Sequence, residues 1–501
     1  MVFWGLLCGL LGLALVPLFS AEVLPLQDAH LHEALAEVLH TIRTRPDHPW
    51  HAHFEIAPPT LRPNMLYYWL CHLLGFLMPV ATAARLLVAV YVVALPLSLL
   101  FLFVTLGKSR WLVLLVIPFS YNAHMALGFI NFMLATPLYF VAVALTVRLL
   151  ARPTKGLALL LAAVALATML AHAQLALLLL ATMALLAAFQ PTSRDARVLL
   201  ATTALPALLV IAPWYAKYFI AEEQTAAGVR FLGLDLRYGA VWSSTEELLR
   251  DVPRHVNGYF ASSADEILLI ATCVLWLAGV ATRRAEAPSA RSHLLGIITI
   301  MMVMASILPP SHIANQFVIR ERQILLAFLL LLGWFPWPTE RRRHMTLAAI
   351  VAVGTVVWFC AVRDEFKEFD ASQTSLMTLI DTLPPEATLG RVAGERGCPR
   401  MTFGASWYTH ARAVGNRGAL VPLWFASFPG TPVQYRPGGV LEDPGVDFVH
   451  DPRSSKFDFL LLKDPHNNLR RTLADDHAER FRKAAEEGLW LLLAVDGDDQ
   501  S

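Results

Sequence analysis

The sequence predicts an α-helical polytopic membrane protein of about eleven transmembrane helices, with a small C-terminal α/β or α+β domain on the non-cytoplasmic side. Three observations predict it. Hydrophobic residues make up 56% of the chain and charged ones only 16%, where soluble proteins carry roughly 25% charge. Apolar runs of about 17–25 residues, each long enough to cross hydrocarbon, recur through the first three quarters of the chain. The loops between those runs alternate between short basic ones and long ones.

The spans fall near 2–20, 83–106, 110–121, 129–149, 156–172, 175–190, 198–215, 265–282, 293–309, 322–338 and 346–362; the third is short. Short loops rich in Lys and Arg stay in the cytoplasm. Here those are Lys108/Arg110, Arg148/Arg152/Lys155, Arg194/Arg197, Arg283/Arg284/Arg291 and Arg341/Arg342/Arg343. They share one side only if the long loop 21–82 enters and leaves on the other. That makes the helix-like stretch near 62–80 (within LRPNMLYYWLCHLLGFLMP) juxtamembrane or re-entrant rather than spanning. The second long loop, 216–264, and the tail after Arg363 then also face outward.

The expected domains are therefore a transmembrane domain over 1–362 and an extracytoplasmic domain over 363–501. In the latter, turn signals at Leu383-Pro384-Pro385, Phe428-Pro429-Gly430 and Arg436-Pro437-Gly438-Gly439 separate short apolar runs such as Phe457–Leu462. A helix-like stretch near 465–488 precedes a last strand at Trp490–Val495.

Several function classes fall away. Nucleic-acid binding wants a concentrated basic patch, whereas the net charge is +1. No Walker loop or dinucleotide fingerprint occurs. Cys8, Cys71, Cys273 and Cys360 lie in apolar segments, which leaves Cys398 alone in the polar region, so no disulfide framework is expected. Val2–Phe19 lacks a basic n-region and is longer than a signal-peptide core, so it reads as a retained first helix. No internal repeat supports an inverted-repeat transporter.

Candidate chemistry sits in the outward loops. Asp28, just after the first span, is an N-cap for the amphipathic helix that follows, or a carboxylate able to deprotonate an acceptor hydroxyl. The same loop carries six histidines from His30 to His53, then Glu55. Clustered imidazoles permit metal binding, but Pro49 and the His51-x-His53 spacing favour an irregular, lipid-facing surface, and no metal ligand is assigned. His172 and Gln174 occupy an outward turn between two spans, as interfacial anchors or as cavity lining. Arg320 and Arg322, where the last outer loop re-enters the bilayer, suit a lipid-linked phosphate through charge-assisted hydrogen bonds, or else a headgroup or surface network with Glu321.

Four features in order carry a resemblance: Asp28; Pro58-Pro59-Thr60-Leu61; Leu66-Tyr67-Tyr68-Trp69-Leu70; and Ala84-Arg85-Leu86 opening the next span. Over roughly residues 1–362 the chain resembles the GT-C superfamily of membrane glycosyltransferases, particularly bacterial relatives of protein O-mannosyltransferases and aminoarabinose transferases. The resemblance implies transfer of a sugar from a polyprenyl-phosphate carrier to a glycan, lipid or protein acceptor on the outer face of the cell membrane. It makes Asp28 the counterpart of the first-loop catalytic aspartate, with Ala29 where the family usually has a second acid. The family's second outer loop supplies another carboxylate, but Pro118–Phe132 has none, so a divalent metal is not required by this sequence. His124, Asn122 and Asn131 are its strongest polar residues. The resulting expectation is a catalytic pair Asp28 and His124, with His30, Glu55, Asn131, His172, Gln174, Arg320 and Arg322 binding substrate. The alternatives are a non-catalytic or transport protein for lipid-linked saccharides, and a sensor that binds ligand in its outer domain.

Overall fold

Hydrophobic runs become helices wherever the backbone must satisfy its own polar groups in lipid. The computed structural model describes every residue except 58–60, 216–228, 232–233, 237–239, 243, 259, 261, 282–290, 314–317, 393–400, 402, 429–430, 445–446, 464–479 and 497–501. The Pro58-Pro59-Thr60 element, Arg283, Arg284 and Cys398 thus lie outside the described residues, as does most of the helix expected at 465–488.

The main helices are α1 (Val2–Phe19), α2 (Ala29–Thr44), α3 (Leu66–Leu74), α4 (Val80–Thr105), α5 (Ile130–Ala151), α6 (Lys155–Ala171), α7 (Ala173–Phe189), α8 (Arg194–Tyr215), α9 (Thr245–Asn257), α10 (Ala264–Ala281), α11 (Ser292–Ile307), α12 (Arg322–Leu332) and α13 (Arg341–Thr382). Among the described residues six of these (α1, α4, α5, α8, α10 and α13) are long and apolar enough to cross a membrane. Four shorter apolar helices, α6, α7, α11 and α12, accompany them. The protein is a multi-pass membrane protein.

Two expectations meet the structure differently. Helix α3, in the stretch expected to be juxtamembrane or re-entrant, has nine residues, about 14 Å of helix and less than half of the hydrocarbon thickness. The stretch 110–121, expected as a short crossing, is not one helix. It runs as a 3-10 turn Arg110–Leu112, one α turn Val113–Val116 and a second 3-10 turn Ile117–Ser120. Pro118 lacks a backbone donor, and Asn122 then starts a new turn, its Oδ1 accepting from His124 N at 3.0 Å and Met125 N at 3.3 Å.

By contact the chain divides into two units interleaved along the sequence. The first holds 1–17, 61–66 and 88–363. Within it, the Trp358 indole donates to Pro118 O at 2.9 Å and the Tyr121 hydroxyl to Ala14 O at 2.7 Å, which ties three separate segments to one core. Basic residues from three of the loops gather at one end of this unit. Arg110 lies over the Phe3 ring (4.8 Å), Lys108 over Trp334 (4.9 Å), and Arg291 and Arg148 both donate to Thr105. Trp111 stacks on Trp337 at 6.2 Å and meets His344 at 4.4 Å. Aromatic and cationic side chains mixed at one level are how helices mark a membrane interface.

The second unit holds 18–60, 67–87 and 364–501. Its strands are β1 (Phe54–Ile56), β2 (Leu389–Val392), β3 (Val433–Tyr435), β4 (Phe459–Lys463), β5 (Phe481–Glu487) and β6 (Trp490–Val495). β1 from the first long loop pairs antiparallel with β3, Phe54 opposite Tyr435. The main sheet has the order β2-β4-β6-β5, with β2 and β4 parallel and the other pairs antiparallel. β6 has the expected bounds. The helix expected near 465–488 is corrected at its end, because 481–487 is strand β5. Its Ala, Glu, Lys and Arg content favours a helix locally. However, Gly488 at φ +58 makes the tight turn that returns the chain into β6, and most β5 side chains face solvent as on an edge strand.

One polar clamp holds this unit's N-terminal segment. The Asp370 carboxylate, in the C-terminal half of α13, accepts from the backbone N–H of Glu22 at 2.9 Å and of Val23 at 2.8 Å. Asp370→Ala leaves those donors without their acceptor, at about 1–3 kcal/mol each where buried. A lowered melting temperature of the detergent-solubilised protein is expected, while an unchanged one contradicts the clamp.

Candidate functional site

The expected site residues fall in both units: His124, Asn131, His172, Gln174, Arg320 and Arg322 in the first, Asp28, His30 and Glu55 in the second.

In the first unit the chain break between α6 and α7 does the positioning. His172 ends one helix and precedes the next in an extended conformation (φ −159, ψ 122), so its ring projects from the corner. Its Nε2 lies 3.1 Å from Nη1 of Arg322, the first residue of α12. A guanidinium only donates, so Nε2 accepts and the imidazole proton sits on Nδ1. The guanidinium lies over the Phe129 ring at 4.4 Å and near Phe132 at 5.8 Å. His124 packs edge-on against Phe132 at 4.7 Å. Burial, with Arg322 adding to it, pushes His124 down to about 3, so the ring is neutral. Next in sequence, Arg320 Nε donates to Glu321 Oε1 at 3.2 Å, both side chains buried. His255 on α9 is in electrostatic reach of Glu321; burial lowers its pKa and Glu321 works against that.

The loop that delivers these arginines is held from several sides. Gln174 Nε2 donates to Ile319 O at 2.6 Å and Gln323 Nε2 to the same oxygen at 3.2 Å. Val318 takes φ 57, a left-handed conformation that is costly for a β-branched residue and tends to collect at functional sites. Among the described residues, Asn131 Oδ1, His172 Nδ1, Glu321 Oε2 and Gln323 Oε1 are buried without a hydrogen-bond partner. Buried polar atoms left unmatched ask for a reason, and a polar ligand group is one.

In the second unit Asp28 stands at the N-cap position of α2 but makes no capping hydrogen bond, its φ and ψ being −87 and −10. Its Oδ1 instead accepts from Gln27 Nε2 at 3.3 Å. His30 is turned inward, with Nε2 donating to Leu24 O at 3.1 Å. Burial first, and then Arg412, hold it neutral with a pKa of about 3. Glu55 is exposed on β1, opposite Gln434. The six loop histidines disperse. His32 meets Tyr68, His40 meets His72, His48 accepts from Trp50 N, and His51 bonds Arg45 O. Among the described residues no three His, Cys, Asp or Glu side chains converge as metal ligands.

Sequence reasoning missed Glu33. It shares α2 with His30, one turn on, and is half-buried. Burial raises its pKa, against the opposing pull of Arg412 and Arg85. Arg85, noted in sequence only as part of the Ala-Arg-Leu element, bends back so that its guanidinium donates to the carbonyls of Ala21 and Glu22. The i,i+3 spacing of His30 and Glu33 was visible, but the arginines opposite come from residues 85 and 412, which no local pattern links.

No family model matches the chain, and neither does any curated protein. Among solved structures it is similar to ArnT from Cupriavidus metallidurans in the apo state, at TM-score 0.55 and 12% identity over 99% of this chain and 98% of that one. The chain shares the fold of that protein. A weaker similarity links it to an Archaeoglobus fulgidus oligosaccharyltransferase in the apo form, at TM-score 0.48 and 12% identity, covering 84% of this chain and 64% of that one.

The Glu33 carboxyl yields a pH prediction. Its pKa in the folded protein is raised, so its contribution to stability is fully present below the unfolded value near 4.5 and is lost as pH rises through the folded value. Glu33→Gln therefore gains thermal stability relative to the parent as pH rises from about 4 to neutrality. A melting-temperature difference that does not change with pH contradicts this.

Proposed function

We propose that this chain is a membrane glycosyltransferase that moves a sugar from a polyprenyl-phosphate carrier to an acceptor hydroxyl on the outer face of the cell (inner) membrane. The observation that carries the reading is Arg322: a guanidinium buried among helices, seated on Phe129, oriented by His172 and next to Arg320. A buried cation aimed this way suits the phosphate of a lipid carrier, whose chain would lie in an apolar groove between helices. The one-sided gathering of basic loops supports a cytoplasmic N-terminus and an outward C-terminal unit.

In the reaction Asp28 takes the proton of the acceptor hydroxyl. The oxygen attacks the anomeric carbon, the bond from that carbon to the phosphate oxygen breaks, and the carrier leaves as polyprenyl phosphate. Asp28 suits a general base as a carboxylate placed just before α2 in the loop that follows the first helix. The neutral His124 and His172 donate or accept hydrogen bonds that orient substrate, together with Asn131, Gln174 and Arg320. Glu33 holds Arg85 and Arg412 in its field. A second reading, a non-catalytic carrier of lipid-linked saccharides, is favoured by the absence of any acid in Pro118–Phe132, and it predicts flux without covalent change.

Asp28→Asn is expected to lower kcat by about 10²–10⁴-fold, with membrane insertion and melting temperature retained. Unchanged turnover overturns the role of Asp28. Arg322→Gln should raise the KM for the lipid-linked donor by roughly 10–100-fold, the loss of one charge-assisted contact of about 1.5–3 kcal/mol. A donor KM within twofold of the parent removes Arg322 from the phosphate site.

A further inference from the structure

The second unit carries an aromatic surface that the transfer step does not use. The 3-10 turn Trp424–Ser427 and the adjoining Phe428 present three half-buried aromatic rings. Trp424 and Phe425 are tilted at 38° with centroids 5.5 Å apart, and Trp424 meets Phe428 edge-on at 4.4 Å. The imidazole of His32 on α2 lies 4.7 Å from the Phe425 ring at 36°. Its Nδ1 is 2.6 Å from the Tyr68 hydroxyl, which fixes the ring and leaves Nε2 on the other side. Among the described residues Nε2 meets no hydrogen-bond partner, and His32 as a whole is half-buried.

This surface is built rather than incidental. Thr431 Oγ1 donates to the carbonyls of Phe425 and Phe428, at 3.0 and 2.9 Å. Gln434 Nε2 adds a bond to Phe428 O at 3.1 Å, and Leu423 N donates to the Tyr435 hydroxyl at 2.7 Å. Gln434 and Tyr435 belong to β3, so the turn is fastened to a strand.

We propose that Trp424, Phe425 and His32 form a platform for the neutral sugar ring of a glycoconjugate acceptor. The inference rests on the transferase reading and deepens it by naming the acceptor class. The apolar C–H face of a sugar ring fits the electron-rich face of an aromatic ring, while an equatorial hydroxyl can pair with His32 Nε2. Few polar groups set among aromatic walls is how small-molecule sites fix orientation. Charge argues for a neutral ligand. Burial alone lowers the His32 pKa, to about 3, and no charged side chain contributes, so the ring is a neutral hydrogen-bonding group. An anion would call for the arginines seen elsewhere, and an alkyl chain would leave Nε2 unmatched.

The test is saturation-transfer difference NMR on the full-length solubilised protein, with methyl α-D-mannopyranoside and methyl β-D-glucopyranoside as probes. Ring C–H protons of at least one glycoside should take up saturation with the parent protein. Phe425→Leu and Trp424→Leu should each lower that signal at least fivefold, and His32→Phe should weaken binding about tenfold with the ring shape kept. Trp4→Ala, on an exposed residue of α1, should leave it unchanged. Melting curves of every variant separate lost binding from lost folding: loss in only one of the two platform variants at unchanged melting temperature still supports the platform. The proposal is overturned if neither glycoside binds the parent, if both platform variants bind as the parent does, or if free polyprenol displaces the glycoside signal, which marks a lipid surface instead. Binding of polyprenyl phosphate is measured alongside. If it binds while the platform variants behave as the parent, the platform fails and the donor reading stands. If it does not bind, the transferase reading fails independently of the glycoside result.

Discussion

Burying a guanidinium in a helical membrane unit is the constraint around which the first unit is arranged. A cation at that depth costs several kcal/mol unless its donors are met and its face is covered. Arg322 meets this with an imidazole nitrogen at 3.1 Å and the Phe129 ring at 4.4 Å. Each partner carries a structural requirement of its own. His172 has to sit at a helix break to reach inward, and Phe129 has to follow the irregular stretch that Pro118 and Asn122 impose. The loop before α12 has to hold Val318 in a costly conformation, pinned through the Ile319 carbonyl. So much strain and burial around one charge is more than a membrane anchor needs, and it fits a site for an anionic group.

The second unit is organised by charge in a different way. The segment after α1 is held by Asp370 and Arg85 acting on its backbone, together with the buried side chains of Ala21, Val23, Leu24 and Leu26. That places Asp28 at the start of α2, while His30 is spent on Leu24 and held neutral. The two outer-loop candidates that sequence treated alike therefore have different chemistry available. His30 bonds its own backbone, whereas Asp28 accepts from the Gln27 side chain.

Much of the fold was legible because membrane crossing leaves a composition signal that needs no tertiary knowledge. The rejection of 62–80 as a span followed from loop charge, and α3 is too short to cross. The gathering of Arg110, Arg148 and Arg291 at one end of the first unit is the same signal in three dimensions. Where local rules compete, the reading failed. Residues 110–121 looked apolar enough for a helix, but Pro118 breaks the ladder. Residues 481–487 look helical by propensity, but Gly488 makes them a hairpin strand. In the site, His172 and Arg322 stood out as ionisable groups at apolar boundaries, though nothing in the sequence paired them. Glu33 with Arg85 and Arg412, and His32 with Tyr68 and Phe425, were invisible as sets because the partners lie 36 to 393 positions away.

The central claim is covalent transfer from a lipid-linked sugar. The most direct measurement is phosphorus-31 NMR of the purified full-length protein incubated with a polyprenyl-phosphate sugar and a glycoside acceptor. The account predicts that the phosphodiester resonance of the donor decays as a phosphomonoester resonance grows in equal amount, with a glycosylated acceptor appearing at the same rate. A phosphodiester signal that persists unchanged, while the lipid-linked sugar crosses a vesicle bilayer containing the protein, contradicts it.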